Sequence, residues 1–234
     1  MKILKKSAIF FFDIIDFYHQ KKILNFFKKK KINIRSFVDV GSHKGKYFDL
    51  FAKDYKIKTS LLIEPQKQYF YYLKNKYKRF KNINIFNCAI SNKNGASLFY
   101  INHHDLTSSL NSLNHKNTFL KFKSRLFGVE PKNMIKKKVR VKITTLNNIL
   151  KKIKIKHLDL VKIDTEGHEL QVLQGIGKKI KKIKIFLIEF RNDNVYRKYN
   201  SAKIHNNLIK NNFYLSKIFK FPFSTWEDRI YIQK

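Results

Sequence analysis

The feature that most constrains the fold is an alternation between short runs rich in β-branched and aromatic residues and longer segments with helical periodicity. Strands that alternate with helices predict a mostly parallel sheet covered by helices on both faces. The predicted strands are SFVDVG, TSLLIEP, NINIFNCAI, ASLFYI, VRVKIT, LDLVKI, IKIFLIEF, FYLSKI and RIYIQK. No helix separates the last two, so they predict a hairpin that adds an antiparallel edge. The sequence therefore predicts an α/β fold.

We predict an N-terminal amphipathic helix over residues 1–31 and a single domain over residues 32–234, with no internal repeat. The stretch KKSAIFFFDIIDFYHQ is too short and too polar to cross a bilayer, so we expect it to dock on the domain. Contact with a membrane surface or with a second copy of the chain is the alternative. The polar residues share one helical face and the apolar residues lie elsewhere: Asp13, Asp16 and Gln20 against Phe10, Ile14, Phe17 and Leu24.

The net charge of +35 suggests a nucleic-acid partner, but lysine supplies nearly all of it. Lys, Ile, Asn, Phe and Tyr share A/T-rich codons, so a base bias explains the charge as well as a ligand does. We therefore expect no specific nucleic-acid partner, while a functional basic surface stays open. Cys88 is the single cysteine, which excludes an intramolecular disulfide and agrees with the cytoplasmic location that we expect.

Acidic residues follow most of the predicted parallel strands. They are Asp39, Glu64, Asp164 with Glu166, and Glu189. Because the carboxyl ends of parallel strands meet at one edge of a sheet, we expect a ligand site there.

The stretch VDVGSHKG places Gly41 and Gly45 directly after the first strand, although the chain has only seven glycines. Such glycines allow a tight turn and bring a helix N-terminus against a ligand. Glu64, at the end of the second strand, can accept both hydroxyls of a ribose. The spacing G-x-x-x-G departs from the dinucleotide fingerprint G-x-G-x-x-G, and the P-loop pattern is missing. We interpret the stretch as a site for S-adenosylmethionine.

The segments FVDVGSHKGKY, LLIEPQKQYFYYL, NCAISNKNG, TSSL and LDLVKIDTEGHELQVLQGI resemble, in this order, the FkbM family of S-adenosylmethionine-dependent methyltransferases. The resemblance covers residues 33–190 and is carried mainly by KIDTEGHELQVLQG. It implies a Rossmann-like class I methyltransferase fold and O-methylation, often of sugars or polyketides. It also implies cofactor contacts by Asp39, Gly41, Gly45, Glu64 and Ala89. One departure is Ser42-His43-Lys44, where an Ala-Asn pair is common in the family.

Methyl transfer to a hydroxyl needs an aligned acceptor and benefits from a base. We predict Asp164, Glu166 and His168 as the catalytic residues. Glu169 is a further candidate, but it could equally stabilise a helix N-terminus without taking part in chemistry. We assign no metal, because no tight ligand motif is present; Asp164 and Glu166 joined by a histidine is the alternative.

Residues 102–138 are polar and weakly periodic, so we predict an irregular loop that covers the acceptor. We expect Ser108 or Ser109 to lie near Glu166, and Phe119, Phe122 and Phe127 to pack against a sugar face. A surface excursion without contact to the site is the alternative.

The predicted partner is a small-molecule or glycan acceptor, and two other functions compete with this reading. A nucleic-acid methyltransferase would usually carry an Asp/Asn-Pro-Pro-aromatic motif, which the isolated Pro65, Pro131 and Pro222 do not allow. A non-catalytic cofactor-binding module is the other alternative, and intact Glu64 and Asp164 argue against it.

Overall fold

The computed structural model describes residues 2–222 and 224–234, and the side chains of these from residue 14 onward. The helices are α1 (Lys2–Lys29), α2 (Lys46–Asp54), α3 (Lys67–Lys76), α4 (Thr118–Leu126), α5 (Leu146–Lys152), α6 (Glu169–Gln174) and α7 (Ser201–Lys210). The strands are β1 (Ser36–Val40), β2 (Thr59–Ile63), β3 (Ile83–Phe86), β4 (Ala89–Ile90), β5 (Gly95–Asn102), β6 (Ile135–Thr144), β7 (Leu158–Ile163), β8 (Ile183–Arg191), β9 (Phe213–Lys220) and β10 (Trp226–Gln233). Short 3-10 helices lie at Asp105–Thr107, Pro131–Asn133 and Gly177–Lys182.

The main sheet has seven strands in the order β3-β2-β1-β7-β8-β10-β9. The first five strands of this order are parallel, and β10 pairs antiparallel with both β8 and β9. This confirms the predicted mostly parallel sheet with an antiparallel edge hairpin. The strand order reverses between β1 and β7, which is where α/β sheets open a crevice for ligands.

Apolar side chains of the strands alternate between two cores, one on each face of the sheet. Val38 and Val40 pack with residues of α5, α6 and α7, whereas Phe37, directly before Val38, packs with residues of α1, α2 and α3. This is the period of two that a strand buried on both faces requires. The helices therefore cover both faces, as the alternating pattern predicts.

The predicted third strand, NINIFNCAI, is broken in the structure. β3 ends at Phe86, and β4 leaves the main sheet to join β5 and β6 in a separate sheet of three strands. The Asn87 amide donates to the carbonyl oxygens of Glu64 and Pro65, 3.0 Å from each. Asn87 therefore bonds the loop after β2, and the chain turns away there.

The segment 102–138 is more ordered than its composition indicates. It contains α4 and two 3-10 helices, and β6 already begins at Ile135. The Asn117 side chain caps α4 by accepting from the Leu120 amide at 2.8 Å. Leu120 packs with Met134 and Tyr196 in a small core of its own. The prediction of an irregular loop was wrong because this helix spans only nine residues, too few to stand out in a long polar segment.

Helix α1 docks through its C-terminal half. Ile23, Leu24 and Phe27 are buried, and the Phe27 ring lies 5.4 Å from that of Phe51. Ile14 and Phe17 are exposed, contrary to the burial that an apolar docking face would give them. The side chains of Phe10 and Asp13 lie outside the described residues. Among the described residues, no helix has the length and apolar character needed to cross a membrane.

Candidate functional site

A cavity of about 950 Å³ opens along the carboxyl edge of the main sheet. Its walls come from the ends of β1, β2, β7 and β8, from segment 102–127, and from α1 and the β9–β10 hairpin. Seven of the eight predicted site residues line it: Asp39, Gly41, Glu64, Ala89, Asp164, Glu166 and His168. Gly45 does not. The strand ends therefore bring the predicted residues together.

The two glycines of the first loop serve contacts within the chain. Gly41 has φ +90°, and a Cβ there would overlap the carbonyl oxygen of Asp164. Gly45 has φ +73°, and a Cβ would lie 2.6 Å from the Tyr77 hydroxyl. Both positions thus need glycine for a left-handed backbone and a close approach. From the sequence we attributed these two glycines to the close approach of a ligand, but the packing of the loop against Asp164 and Tyr77 already requires glycine at both positions.

Glu64 is buried between the loops after β1 and β2. One carboxylate oxygen accepts from the His43 amide and the other from the Gln66 amide, each at 2.8 Å. Burial raises the pKa of Glu64 to about 7. A carboxylate offers about four acceptor positions, so the two amides leave capacity for further donors from the cavity.

His43, which departs from the family pattern, contacts the segment 102–138, here called the covering segment because part of it lines the cavity. Its ring centre lies 3.8 Å from that of Tyr69, and its Nε2 lies 3.7 Å from an Asp105 carboxylate oxygen. The Tyr69 hydroxyl donates to Asp105. The His43 ring and this hydroxyl hold the pKa of Asp105 well below its usual range. Sequence reasoning missed Tyr69 and Asp105, since they meet only through the fold.

A buried lysine connects the ends of β1 and β7. Lys162 pairs with Asp39 in the strand register, and its Nζ lies 3.6 Å from Asp39 and 3.0 Å from Asp164. Burial raises the pKa of Asp39. Burial alone would lower the pKa of Lys162, but Asp164 and Asp39 raise it above its usual value. Lys162 is therefore a permanent cation in the wall. A lysine inside the apolar run LDLVKI was the signal that could have found it.

Glu166 lies in a second group of charges around Arg191. The guanidinium is 3.4 Å from Glu166 and 3.6 Å from Glu189, and it also pairs with both oxygens of Asp193 at 3.2 Å. The Tyr196 hydroxyl donates to Glu166 at 2.8 Å. Burial raises the pKa of Glu166, and burial with the nearby acids raises that of Glu189 well above its usual value. Arg191 and Tyr196 were not predicted from the sequence.

Asp164, Glu166 and Glu189 form the group of possible metal ligands found among the described residues. Their oxygen atoms lie within 4.8 Å of one another, and no histidine belongs to the group. This arrangement of the described residues gives no support to the alternative in which a histidine joins Asp164 and Glu166. Lys162 already pairs with Asp164, and Arg191 with the other two carboxylates. Because Lys162 also pairs with Asp39 and Arg191 with Asp193, these two cations offset the charge of the three carboxylates only in part.

His168 has both ring nitrogens engaged. Nε2 lies 3.0 Å from the Ser91 hydroxyl, and Nδ1 lies 3.2 Å from the Asn111 side-chain oxygen. Burial lowers its pKa to about 4, so the ring is neutral at pH 7. A neutral imidazole held on both sides is placed to orient its neighbours, and it is a weak base. We therefore expect His168 to position neighbouring groups, and not to act as the base that accepts the proton of the acceptor hydroxyl.

Glu169 holds the loop that carries Glu166. One of its oxygens accepts from the Thr165 amide, the Thr165 hydroxyl and the Gly167 amide, each at 3.0 Å. Glu169 is almost fully buried, which raises its pKa to about 7. These contacts favour the alternative that Glu169 stabilises the start of α6 and takes no part in chemistry. Its hydrogen bonds go to its own loop, and it does not line the cavity.

The covering segment reaches the Glu166 loop through Ser109. Its hydroxyl donates to the carbonyl oxygen of Glu166 at 2.7 Å, whereas Ser108 accepts from the Asn102 amide at 3.1 Å. One of the two expected serines thus lies beside Glu166. The three phenylalanines of the prediction also line the cavity: Phe119, Phe122 and Phe127. The alternative of a surface excursion without contact to the site is wrong.

A family model described as the methyltransferase FkbM domain matches residues 39–216. The fold is similar to that of methyltransferase FkbM from Methylobacillus flagellatus KT, with TM-score 0.54 and 15% identity over 85% of this chain and 43% of that chain. It is also similar to magnesium protoporphyrin IX methyltransferase from Synechocystis PCC 6803 with bound SAM. The TM-score is 0.51 and the identity 9%, and the match covers 94% of this chain and 81% of that chain. No curated protein sequence matches the chain. The chain spans less than half the length of the Methylobacillus structure.

S-adenosylmethionine is the cofactor that these matches imply, and the residues in the wall fit it. Asp39 has a buried carboxylate oxygen without a hydrogen-bond partner among the described residues, which suits an ammonium group. Glu64 has spare acceptor capacity for ribose hydroxyls. The cavity is also large enough for a cofactor and an acceptor. The family model covers about three-quarters of the sequence, from the first strand end to the closing hairpin. The chain therefore belongs to the FkbM methyltransferase family.

Proposed function

We propose that the protein transfers the methyl group of S-adenosylmethionine to a hydroxyl of a sugar or a related neutral, polyhydroxylated molecule. The observation that carries this proposal is the charge of the cavity wall. Among the described residues, eight of the chain's 16 acids line the cavity, but only six of its 51 lysines and arginines do. The acids are Asp16, Asp39, Glu64, Asp105, Asp164, Glu166, Glu189 and Asp228.

This wall disfavours a nucleic-acid acceptor. The protein carries +35 overall, so its outer surface attracts phosphates. Inside the cavity eight acids face six cations, and burial raises the pKa of several of these acids, so the wall lacks the excess of positive charge that would hold a phosphate backbone near the reacting group. Carboxylates and amides are good partners for neutral hydroxyl groups. An uncharged polyol fits this environment better than a polyanion.

The cofactor supplies an electrophilic methyl group, and the chain's residues would position the acceptor and take its proton. Asp39 and Glu64 would hold the two ends of the cofactor. Asp164 is the best placed base, because its side chain is 30% exposed to the cavity while Glu166 is held by Tyr196 and Arg191. Asp164 would accept the proton that the acceptor hydroxyl loses on methylation. A base of this kind contributes about 10²–10⁴-fold.

Methyl transfer with labelled S-adenosylmethionine tests the proposal. The acceptors are neutral mono- and disaccharides on one side, and transfer RNA and duplex DNA on the other. We expect transfer to at least one saccharide and none to either nucleic acid. Asp164→Asn should lower kcat by about 10²–10⁴-fold and leave S-adenosylhomocysteine affinity within a few fold. Glu130→Gln, which removes an exposed acid outside the cavity, is the matched control. Methylation of nucleic acid alone would refute the proposal.

A further inference from the structure

The cavity continues past the carboxylates of β7 and β8 to β10. The antiparallel register sets Asp228 opposite Glu189 and Trp226 opposite Arg191. Residues directly opposite in such a pair have Cα atoms about 4.5–5.5 Å apart. Trp226 and Asp228 therefore lie one strand beyond the proposed reacting carboxylates, on the side away from Glu64 and β2. Both residues line the cavity.

An aromatic pair forms one side of this region. The Phe221 and Trp226 rings are stacked, with centres 4.1 Å apart and planes 23° apart. The His19 ring of α1 contacts both with its edge, at 5.2 Å from Phe221 and 5.4 Å from Trp226. His19 is fixed by its 2.9 Å contact with Asp228. Large rings held on several sides offer a rigid apolar surface that loses little entropy on binding.

Polar groups of α1 line the cavity near this aromatic pair. The Gln20 amide donates to Asp16 at 2.8 Å, and both residues line the cavity. Burial raises the pKa of Asp16. The Asp16 carboxylate has acceptor positions beyond the one that Gln20 uses, and Gln20 adds a carbonyl oxygen of its own. The pair can therefore hydrogen-bond several hydroxyl groups.

The face of α1 that docks on the domain carries polar as well as apolar residues, because Asp16 and Gln20 precede the buried Ile23, Leu24 and Phe27 on it. Ile14 and Phe17 are 40% and 46% exposed, while Gln20 is buried and Asp16 is partly covered. Covering polar groups while exposing apolar ones costs free energy unless the polar groups find partners. A polar ligand in the cavity would supply those partners. Packing of Ile23, Leu24 and Phe27 thus brings Asp16 and Gln20 to the cavity, where a polar ligand would add hydrogen bonds to both.

We propose that α1 and the β9–β10 hairpin form a binding subsite for the body of the acceptor, a neutral sugar ring. Trp226, the more exposed ring of the stacked pair, faces the apolar C–H groups of the sugar ring, and Asp16 and Gln20 bind its hydroxyls. This subsite rests on the proposed function, because it holds the molecule whose hydroxyl is methylated. Neighbouring strands are about 4.8 Å apart, so the four steps from β2 to β10 span about 19 Å, room for a cofactor and one sugar ring.

Trp226 is the only tryptophan of the chain, so its fluorescence reports on this subsite directly. The probes are methyl glycosides of neutral hexoses and deoxyhexoses, titrated into the full chain saturated with S-adenosylhomocysteine. Adenosine monophosphate serves as an anionic comparison. We expect at least one glycoside to change the Trp226 emission in a saturable way, and adenosine monophosphate not to.

Asp16→Asn should weaken binding of that glycoside at least tenfold and leave S-adenosylhomocysteine affinity unchanged. The matched control is Asp54→Asn, which removes a 2.9 Å contact between α2 and Lys28 of α1 outside the cavity. This control tests whether looser docking of α1 alone weakens glycoside binding. We expect Asp54→Asn to change the glycoside affinity less than twofold.

Two results overturn the subsite in different ways. If a glycoside is methylated but leaves the Trp226 emission unchanged and has the same KM with Asp16→Asn, the acceptor binds elsewhere and the proposed function survives. If no glycoside binds and none is methylated, the proposed function and the subsite both fail.

Discussion

Glu64 should make cofactor affinity depend on pH. Its pKa is raised to about 7 by burial, and its ionised form is the one that accepts from ribose hydroxyls as well as from the His43 and Gln66 amides. Binding therefore favours the ionised form, and affinity falls as pH falls through 7. The ionised fraction is about 0.9 at pH 8 and about 0.1 at pH 6, which predicts about a tenfold loss of affinity, or about 1.4 kcal/mol.

Replacing Glu64 by Gln should remove both the charge and the pH dependence. The Gln amide nitrogen cannot accept, so one of the two backbone amides loses its partner. The bonds to the ribose hydroxyls also lose their charge. Bonds to a charged group contribute about 1.5–3 kcal/mol each, so we expect binding at pH 8 to weaken about 100-fold.

Calorimetry with S-adenosylhomocysteine at pH 6, 7 and 8 measures both effects. In two buffers with different ionisation enthalpies, the wild type should release about 0.9 protons on binding at pH 6 and about 0.1 at pH 8. Glu169→Gln is the matched control, since Glu169 is also buried with a pKa of about 7 but does not line the cavity. Equal wild-type affinity at pH 6 and 8 would refute the reasoning, as would an equal flattening of the profile by Glu169→Gln.

Three further predictions concern the loops around the site. Gly41→Ala should lower the free energy of unfolding in urea by about 2 kcal/mol more than Gly95→Ala, because both positions have positive φ but only Gly41 faces a backbone carbonyl; equal losses would contradict this. His168→Gln should lower kcat without moving the pH–rate profile between pH 6 and 9, since the His168 pKa is about 4; loss of a titration near pH 6.5 would contradict it. Arg191→Met should destabilise the protein by about 3–5 kcal/mol by leaving buried carboxylates unpaired, and adding Glu166→Gln should restore part of that stability; no restoration would show that Arg191 acts through other contacts.

The sequence was sufficient to predict the central strands of the main sheet and the acidic residues at their carboxyl ends. Strands buried on both faces require runs of Val, Ile and Leu, and this requirement is local, so β1, β2, β7 and β8 could be recognised one by one. Parallel strands end at the same edge, so Asp39, Glu64 and Asp164 could be placed together before any contact was known. The left-handed glycines could be recognised as well, although their use inside the chain could not.

The tertiary structure decided the rest, because these features depend on contacts between residues far apart in the chain. Asp164 follows Lys162 by two residues, but nothing in the sequence indicates that Asp39, on the neighbouring strand, also compensates the burial of Lys162. Nothing near Trp226 indicates that β10 inserts beside β8 and brings the ring opposite Arg191. Helix α1 has an amphipathic pattern, but which of its apolar residues are buried depends on the tertiary contacts that α1 makes: Ile23, Leu24 and Phe27 are buried, and Ile14 and Phe17 are exposed. Local periodicity determines which segments become strands and helices, whereas strand order and packing determine which side chains meet.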